Sequence, residues 1–245
     1  MTMATPKKQA KPFFFKQFTI HQDKCSMKVG TDGVMLGAWA DTDGVERALD
    51  IGAGSGLIAI MLGQRSAHIM VDAVEIDEPS YEQARENMAQ APWSSRLRAF
   101  HTSIQDFSRE AAHQYQLIVS NPPFFSGGTF SDDHNRANVR HAIKLPHGDL
   151  LSAVRSLLSP EGKFCLVLPY IEGLRFQELA ESYHLHCTRM TEVYPKQGKP
   201  VERLLMQFER QGKSLEKDSL VIQKEQNNDW TAQYIKMTGA FYLNM

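Results

Sequence analysis

Cysteine is scarce in this chain. There are three in 245 residues, Cys25, Cys165 and Cys187, and no two form a Cys-x-x-Cys pair. An odd, scattered set gives neither a disulfide framework nor a zinc-ligand spacing, and it predicts a reducing compartment, the cytoplasm. Long apolar runs are missing too, and no charged-then-apolar leader opens the chain, so no membrane association is expected. Net charge is small, with 27 Lys and Arg against 28 Asp and Glu, and no internal repeat is visible. What remains is ordinary globular composition, 42% hydrophobic and 22% charged. That is enough chain for one large core. The charge is unevenly placed. Residues 1–28 carry Lys7, Lys8, Lys11, Lys16, Lys24 and Lys28 against Asp23 alone. A basic end on an acidic body points to a polyanionic partner met at one edge.

Hydrophobic periodicity orders the rest. Gln17–His21 and Ser26–Val29 predict a hairpin, and Thr31 reads as the N-cap of a short apolar helix. Strands are expected at Ala48–Ile51, Ile69–Ile76, Leu97–Thr102, Tyr115–Ser120, Lys163–Leu168, His184–Val193 and Glu202–Phe208. Helices are expected at Leu57–Gln64, Glu78–Ala91, Gly148–Leu158 and Leu174–Tyr183. The last thirty or so residues add a strand at Leu220–Gln223 and a helix near Trp230–Met237. Alternation of this kind means an α/β fold: a doubly wound, Rossmann-like sheet of about seven strands, mostly parallel, closing in a C-terminal antiparallel hairpin. Residues 1–16 read as a flexible basic and aromatic arm, and 17–245 as a single domain with an N-terminal hairpin and helix and a C-terminal extension. Beside the arm's lysines, Phe13, Phe14, Phe15 and Phe18 either stack on nucleic-acid bases or pin the arm to the core.

Asn121-Pro122-Pro123-Phe124 ends the strand Tyr115–Ser120, because two prolines cannot extend a sheet ladder. It leaves a stiff loop at a strand's carboxyl end, where open α/β sheets place their chemistry. The Asn121 side chain and the Pro122 carbonyl can each accept a hydrogen from one planar amine, and Phe124 can stack on the plane. A plain Pro-Pro turn with a buried Phe is the alternative. Upstream, Asp50-Ile-Gly52-Ala-Gly54-Ser-Gly56 follows a strand and opens a helix. Its glycines permit a tight turn and close ligand approach. Nineteen residues after Gly56 comes Glu75, beside Ile76, where an acid can take the two hydroxyls of a ribose. The G-x-G-x-G spacing, the preceding Asp50 and the amine-gripping loop favour S-adenosylmethionine over a nicotinamide dinucleotide.

In this order, Asp50–Gly56, Glu75, Asn121–Phe124 and the closing strand pair resemble a class I S-adenosylmethionine-dependent methyltransferase. The stretch from Met27 to Ala40 (Met-Lys-Val-Gly-Thr-Asp-Gly-Val-Met-Leu-Gly-Ala-Trp-Ala) and the ending Ala-Phe-Tyr-Leu are more specific. They resemble the bacterial tRNA adenine-N6 methyltransferases that act at anticodon-loop position 37 of tRNA1(Val). The resemblance implies methyl transfer to the N6 amine of a tRNA adenine, with Asn121, Pro122, Pro123 and Phe124 at the reacting centre. It implies a cofactor set of Gly52, Gly54, Gly56, Glu75 and Ile76 with Asp50 and Asn121, and Thr31 and Asp32 near the amino-acid end. The acid usual at the end of the third strand is replaced here by Ser103, with Asp106 three residues on, and either could meet the adenine.

Lys7, Lys8, Lys11, Phe13 and Lys16 of the arm, Arg136 and Arg140 of the long 125–147 loop, and Lys196 and Lys199 near the last hairpin are candidate RNA contacts. His134, His141 and His147 with Asp132 and Asp133 match no metal spacing, so no metal is expected. No stable protein partner is implied. Ribosomal RNA guanine-N2 methylation, protein glutamine methylation, DNA adenine methylation and a silent RNA-binding module are the rival readings.

Overall fold

The central strands are apolar on both faces. In the computed structural model, which describes residues 10–25, 27–123 and 145–244, neighbouring residues along one strand enter different cores. Ala48, Val71, Leu117, Val119 and Cys165 pack into one cluster, and Leu49, Val74, Ile118, Phe164 and Leu166 into another. A period of two with both sides buried is what a covered parallel sheet requires. Among the described residues that sheet has eight strands: β3 (Arg47–Ile51), β4 (Met70–Glu75), β5 (Leu97–His101), β6 (Tyr115–Ser120), β7 (Leu158–Pro169), β8 (His186–Lys196), β9 (Arg203–Glu209) and β10 (Glu216–Gln223). Their order is β10-β8-β9-β7-β6-β3-β4-β5. Only β9 runs against its neighbours, pairing antiparallel with both β7 and β8, while β10 lies parallel to β8.

Helix α1 (Thr31–Trp39), α2 (Leu57–Arg65), α3 (Glu78–Gln90) and α7 (Ala232–Thr238) contribute to the first core. Helices α4 (Ile104–Glu110), α5 (His147–Leu157) and α6 (Tyr170–Glu181) contribute to the second. Chain direction across the sheet reverses at β3. The crossover through α2 leads to β4 on one side, and β6 returns on the other. The carboxyl ends of β3, β4 and β6 therefore surround a topological switch point, where such sheets leave a crevice for ligand.

Several expectations shift. The N-terminal hairpin pairs Phe13–Phe14 with Thr19–Ile20 (β1 and β2), and not Gln17–His21 with residues beyond 25. The aromatic run explains it: Phe15 stacks on Phe18 at 4.5 Å and on Tyr242 at 5.9 Å, which fixes the turn earlier. Phe15 and Phe18 are buried, Phe14 is exposed, and Phe13 packs against Phe15. Residues 13–16, assigned from sequence to a flexible arm, thus belong to the body. Thr31 is the first residue of its helix and Gly30 the N-cap, with no side-chain capping bond. Helix α4 is an addition to the expected elements, and β10 is eight residues long where four are expected. The chain's end docks on the body, with Phe241 buried and the Phe241 carbonyl accepting from Lys16 N at 2.8 Å.

Candidate active site

The loop after β3 is built for close approach. Gly52, Gly54 and Gly56 all have positive φ, near 74°, 56° and 79°. That region costs an L-residue roughly 1–2 kcal/mol. A Cβ built on Gly52 or Gly54 would meet nothing within 4 Å, whereas one on Gly56 would stand 3.3 Å from Ala84 Cα. The first two glycines therefore keep ligand space clear, and the third lets α2 lie against α3. Gly52 N and Ala53 N donate to Val74 O at 2.9 and 3.2 Å, tying the loop to the end of β4.

Glu75 ends β4 as a buried carboxylate. It accepts from Gly54 N at 2.8 Å, Ile76 N at 2.9 Å and Asp77 N at 2.9 Å. Three backbone donors, two on Oε1 and one on Oε2, fix its orientation and leave accepting capacity on Oε2 for a hydroxyl donor. Asp50 sits below the loop and is fully buried. Its Oδ2 accepts from Ala59 N in the first turn of α2 at 3.1 Å, and its Oδ1 has no partner among the described residues. Burial pushes its carboxyl up to about 7, with the Glu75 charge adding to the effect and the Ala59 bond opposing it. Asp50 supports the helix start, and it lines neither chamber of the cleft.

Two chambers meet at Gly52, Gly54, Met27 and Asn121. The smaller, about 420 Å³, is walled by Ile51, Val74, Glu75, Ile76, Thr102, Ile104, Gln105, Pro122 and Pro123 among others. Ile76 is a large aliphatic side chain left 47% exposed there, a ready face for a flat ring. The larger, about 820 Å³, holds Thr31 and Asp32 from the start of α1, Asn121, and Lys196, Lys199 and Arg203 from the end of β8, the turn after it and the start of β9. Asp32 pairs with Arg203 at 2.9 Å. Asn121 bridges the two chambers, and its Oδ1 is buried without a partner among the described residues. A buried amide oxygen left unbonded carries a desolvation cost, and among the described residues this atom is open to a donor from a ligand.

The sequence-predicted residues divide accordingly. Gly52, Gly54, Glu75, Ile76, Asn121, Pro122, Pro123, Thr31, Asp32, Lys196 and Lys199 come together, while Asp50 and Gly56 support from behind. Ser103 and Asp106 line neither chamber. Ser103 caps α4, accepting from Asp106 N at 3.0 Å and donating to Asp106 Oδ2 at 2.6 Å. Thr102 and Gln105 offer polar atoms in their place. The Ser-x-x-Asp spacing before an apolar turn is itself a helix-start signature, and it marks both side chains as spoken for. Trp230, Gln223 and Met27 carry no such signal, and sequence reasoning misses them as lining residues. Lys11 is exposed, and Lys16 Nζ donates to Gly239 O at 2.5 Å. Near Lys16, Ala240 O accepts from Gln64 in the last turn of α2. Lys16 therefore lies at the end of α2 remote from the glycine loop. Lys7, Lys8, Phe124, Arg136, Arg140, His134 and His141 lie outside the described residues. His147 packs edge-on to Phe176 at 5.0 Å. Among the described residues, no three potential metal ligands cluster, and no helix is long and apolar enough to cross a membrane.

Comparison with known proteins agrees with this geometry. Residues 34–170 match the family model of the methyltransferase small domain. The chain is 45% identical over 233 residues to the tRNA1(Val) (adenine(37)-N6)-methyltransferase of Trichodesmium erythraeum, covering 94% of this chain and 97% of that protein. It is 40% identical to the enzyme of that name from Escherichia coli O157:H7, over the whole of both chains. Among solved structures, a predicted O-methyltransferase from Agrobacterium tumefaciens superposes with a TM-score of 0.68 at 15% identity, covering 86% of this chain and 96% of that one. A ribosomal protein L11 methylase from Lactobacillus delbrueckii gives 0.51 at 17%, covering 74% and 77%. These last two establish the fold alone. The chain belongs to the methyltransferase small domain family and, within it, groups with the tRNA1(Val) (adenine(37)-N6)-methyltransferases.

Proposed function

We propose that this enzyme transfers a methyl group from S-adenosylmethionine to the N6 amine of adenine in tRNA, at anticodon-loop position 37 of tRNA1(Val), in the cytoplasm where that RNA is found. The observation that carries the chemistry is the buried Oδ1 of Asn121, unpartnered among the described residues, where the two chambers meet. The relatives' shared activity supports the choice of RNA.

The residues present fit the cofactor. The open space above Gly52 and Gly54 admits a ligand against bare backbone. Glu75, held by three amides, suits the ribose hydroxyls, and Ile76 the adenine face. When bound, S-adenosylmethionine supplies a methyl group on a positively charged sulfur, already a strong electrophile. The chain's task is then the nucleophile. An exocyclic adenine amine has its lone pair spread into the ring. Asn121 Oδ1 and the Pro122 carbonyl would each accept one of its hydrogens and draw the nitrogen toward a tetrahedral shape, freeing the lone pair. Positioning and fixed dipoles of this kind supply much of a barrier reduction. No strong base is required, because the amine becomes acidic only as the new bond forms. Pro122 and Pro123 keep the loop rigid, since their φ angles are locked.

The test is to incubate the protein with methyl-labelled S-adenosylmethionine and, separately, unmodified bulk tRNA, ribosomal RNA, DNA and protein, followed by nucleoside analysis. N6-methyladenosine in tRNA alone is the expected result. N2-methylguanosine in ribosomal RNA, or label in protein glutamine, would overturn the substrate.

A further inference from the structure

The larger chamber has a wall that the methyl-transfer chemistry does not use. It is formed by the last third of the chain, beyond the 34–170 span of the family match. Lys196 at the end of β8 is in register with Gln223 at the end of β10, and Gln223 bridges to Trp230. Register partners send their side chains to the same side of a sheet. All three line the chamber that also holds Asn121. Lys199 joins them across a tight turn, its N donating to Lys196 O at 3.1 Å with Gly198 at φ 75°. The Lys199 ammonium makes no ion pair among the described residues, and Lys196 has only a 3.5 Å contact to Asn227. Trp230 is held in place. Thr231 N donates to Ile222 O at 3.0 Å and Lys224 N to Asp229 O at 2.8 Å. The Lys224 and Asp229 side chains pair at 2.9 Å across the turn between the two segments.

A cation, an amide and an indole in one row are the three groups that read a single-stranded nucleotide: its phosphate, its base edge and its base face. We propose that this row binds the nucleotide next to the target adenine, with its base stacked on Trp230, its edge at Gln223 and the flanking phosphates at Lys196 and Lys199. The assignment rests on the RNA-methylation reading above. It makes the C-terminal extension the element that selects a splayed RNA loop, while the family domain performs the transfer.

The experiment uses the full chain and a synthetic anticodon stem–loop RNA. Intrinsic tryptophan fluorescence should fall on addition of the RNA and should not change in Trp230→Phe, which leaves Trp39 and Trp93 as reporters. Trp230→Ala should raise KM for tRNA about ten-fold, with the effect falling mainly on KM and with Kd for S-adenosylmethionine unmoved. Trp230→Phe, which keeps a stacking ring, should restore most of that affinity. Replacing Lys196 and Lys199 by Ala should flatten the dependence of log K on log salt by about 0.7 for each phosphate no longer neutralised. A quench that persists in Trp230→Phe, or an unchanged KM in Trp230→Ala, overturns the proposal. So does a lysine variant that weakens cofactor binding with the salt slope intact, which would give the cations to the cofactor's carboxylate. If Trp230→Ala fails to fold, the fluorescence comparison with Trp230→Phe decides. Quenching by the stem–loop without any methyl transfer to tRNA would remove the proposed function and leave the RNA-binding row standing.

Discussion

Asp50 is buried and Asn121 half-buried, each at a strand end with a buried oxygen unpartnered among the described residues, yet their surroundings suit them to opposite tasks. Asn121 opens on the cleft, so in the proposed reaction Asn121→Ala removes a substrate contact and little packing. A fall in kcat of about 100-fold is expected, the usual scale for one preorganised polar group at a reacting centre. The melting temperature should hardly move, which separates chemistry from folding when both are measured on the same sample. Asp50 acts on stability. Its carboxyl titrates near 7 when folded and near the ordinary carboxylate value of about 4 when unfolded. Between those values the folded protein keeps a proton that the unfolded chain has released. The stabilisation is full at the low end of the window and is lost as pH rises toward 7. Asp50→Asn keeps an acceptor for Ala59 N–H without the charge. Its gain in urea midpoint over the parent should be largest at pH 8 and shrink toward pH 4; an equal gain at both would show that the charge is not the cause.

At the level of elements, the three loop glycines should part company. Gly54→Ala places a methyl group in open space, so the protein should fold with a loss of about 1 kcal/mol from the positive φ while cofactor affinity drops sharply. Gly56→Ala carries the same backbone strain plus a 3.3 Å approach to Ala84 Cα, so it should lose more stability. Paired thermal melts and cofactor titrations would reveal the difference. This loop is legible in the sequence, because strand, glycines and acid are local. Strand β6 and its proline stop are equally plain, running Tyr115–Ser120 as expected. The failures come where distant chain decides. The N-terminal hairpin slides because Tyr242, more than two hundred residues away, sets the position of Phe15. β10 doubles in length because β8 offers it a parallel edge that no local pattern announces. Gln105 and Trp230 reach the cleft only through the sheet order, which periodicity leaves open.

For the whole molecule, the two ends of the chain clasp each other over the first core. Phe15 bridges to Tyr242, Lys16 N bonds to Phe241 O, and Phe241 and Tyr234 are buried with α1 and α2. Phe241→Ala should therefore cost about 3 kcal/mol, read by urea denaturation, although the residue is four from the end. A change within 0.5 kcal/mol would mean the terminus is decoration. The same arrangement carries Trp230 and the cations of the larger chamber to the side of the sheet facing Asn121. In the proposed reading, β8 and β10 thus bring the RNA-selecting row to the chamber that holds Asn121.

The decisive measurement uses two anticodon stem–loops, one with adenosine at position 37 and one with guanosine there, each given labelled cofactor and enzyme in a single turnover. Methyl transfer to N6 of adenine 37 through Asn121 gives N6-methyladenosine in the first, none in the second, and none in either with Asn121→Ala. Label in the guanosine stem–loop, or an unimpaired Asn121→Ala enzyme, would contradict it.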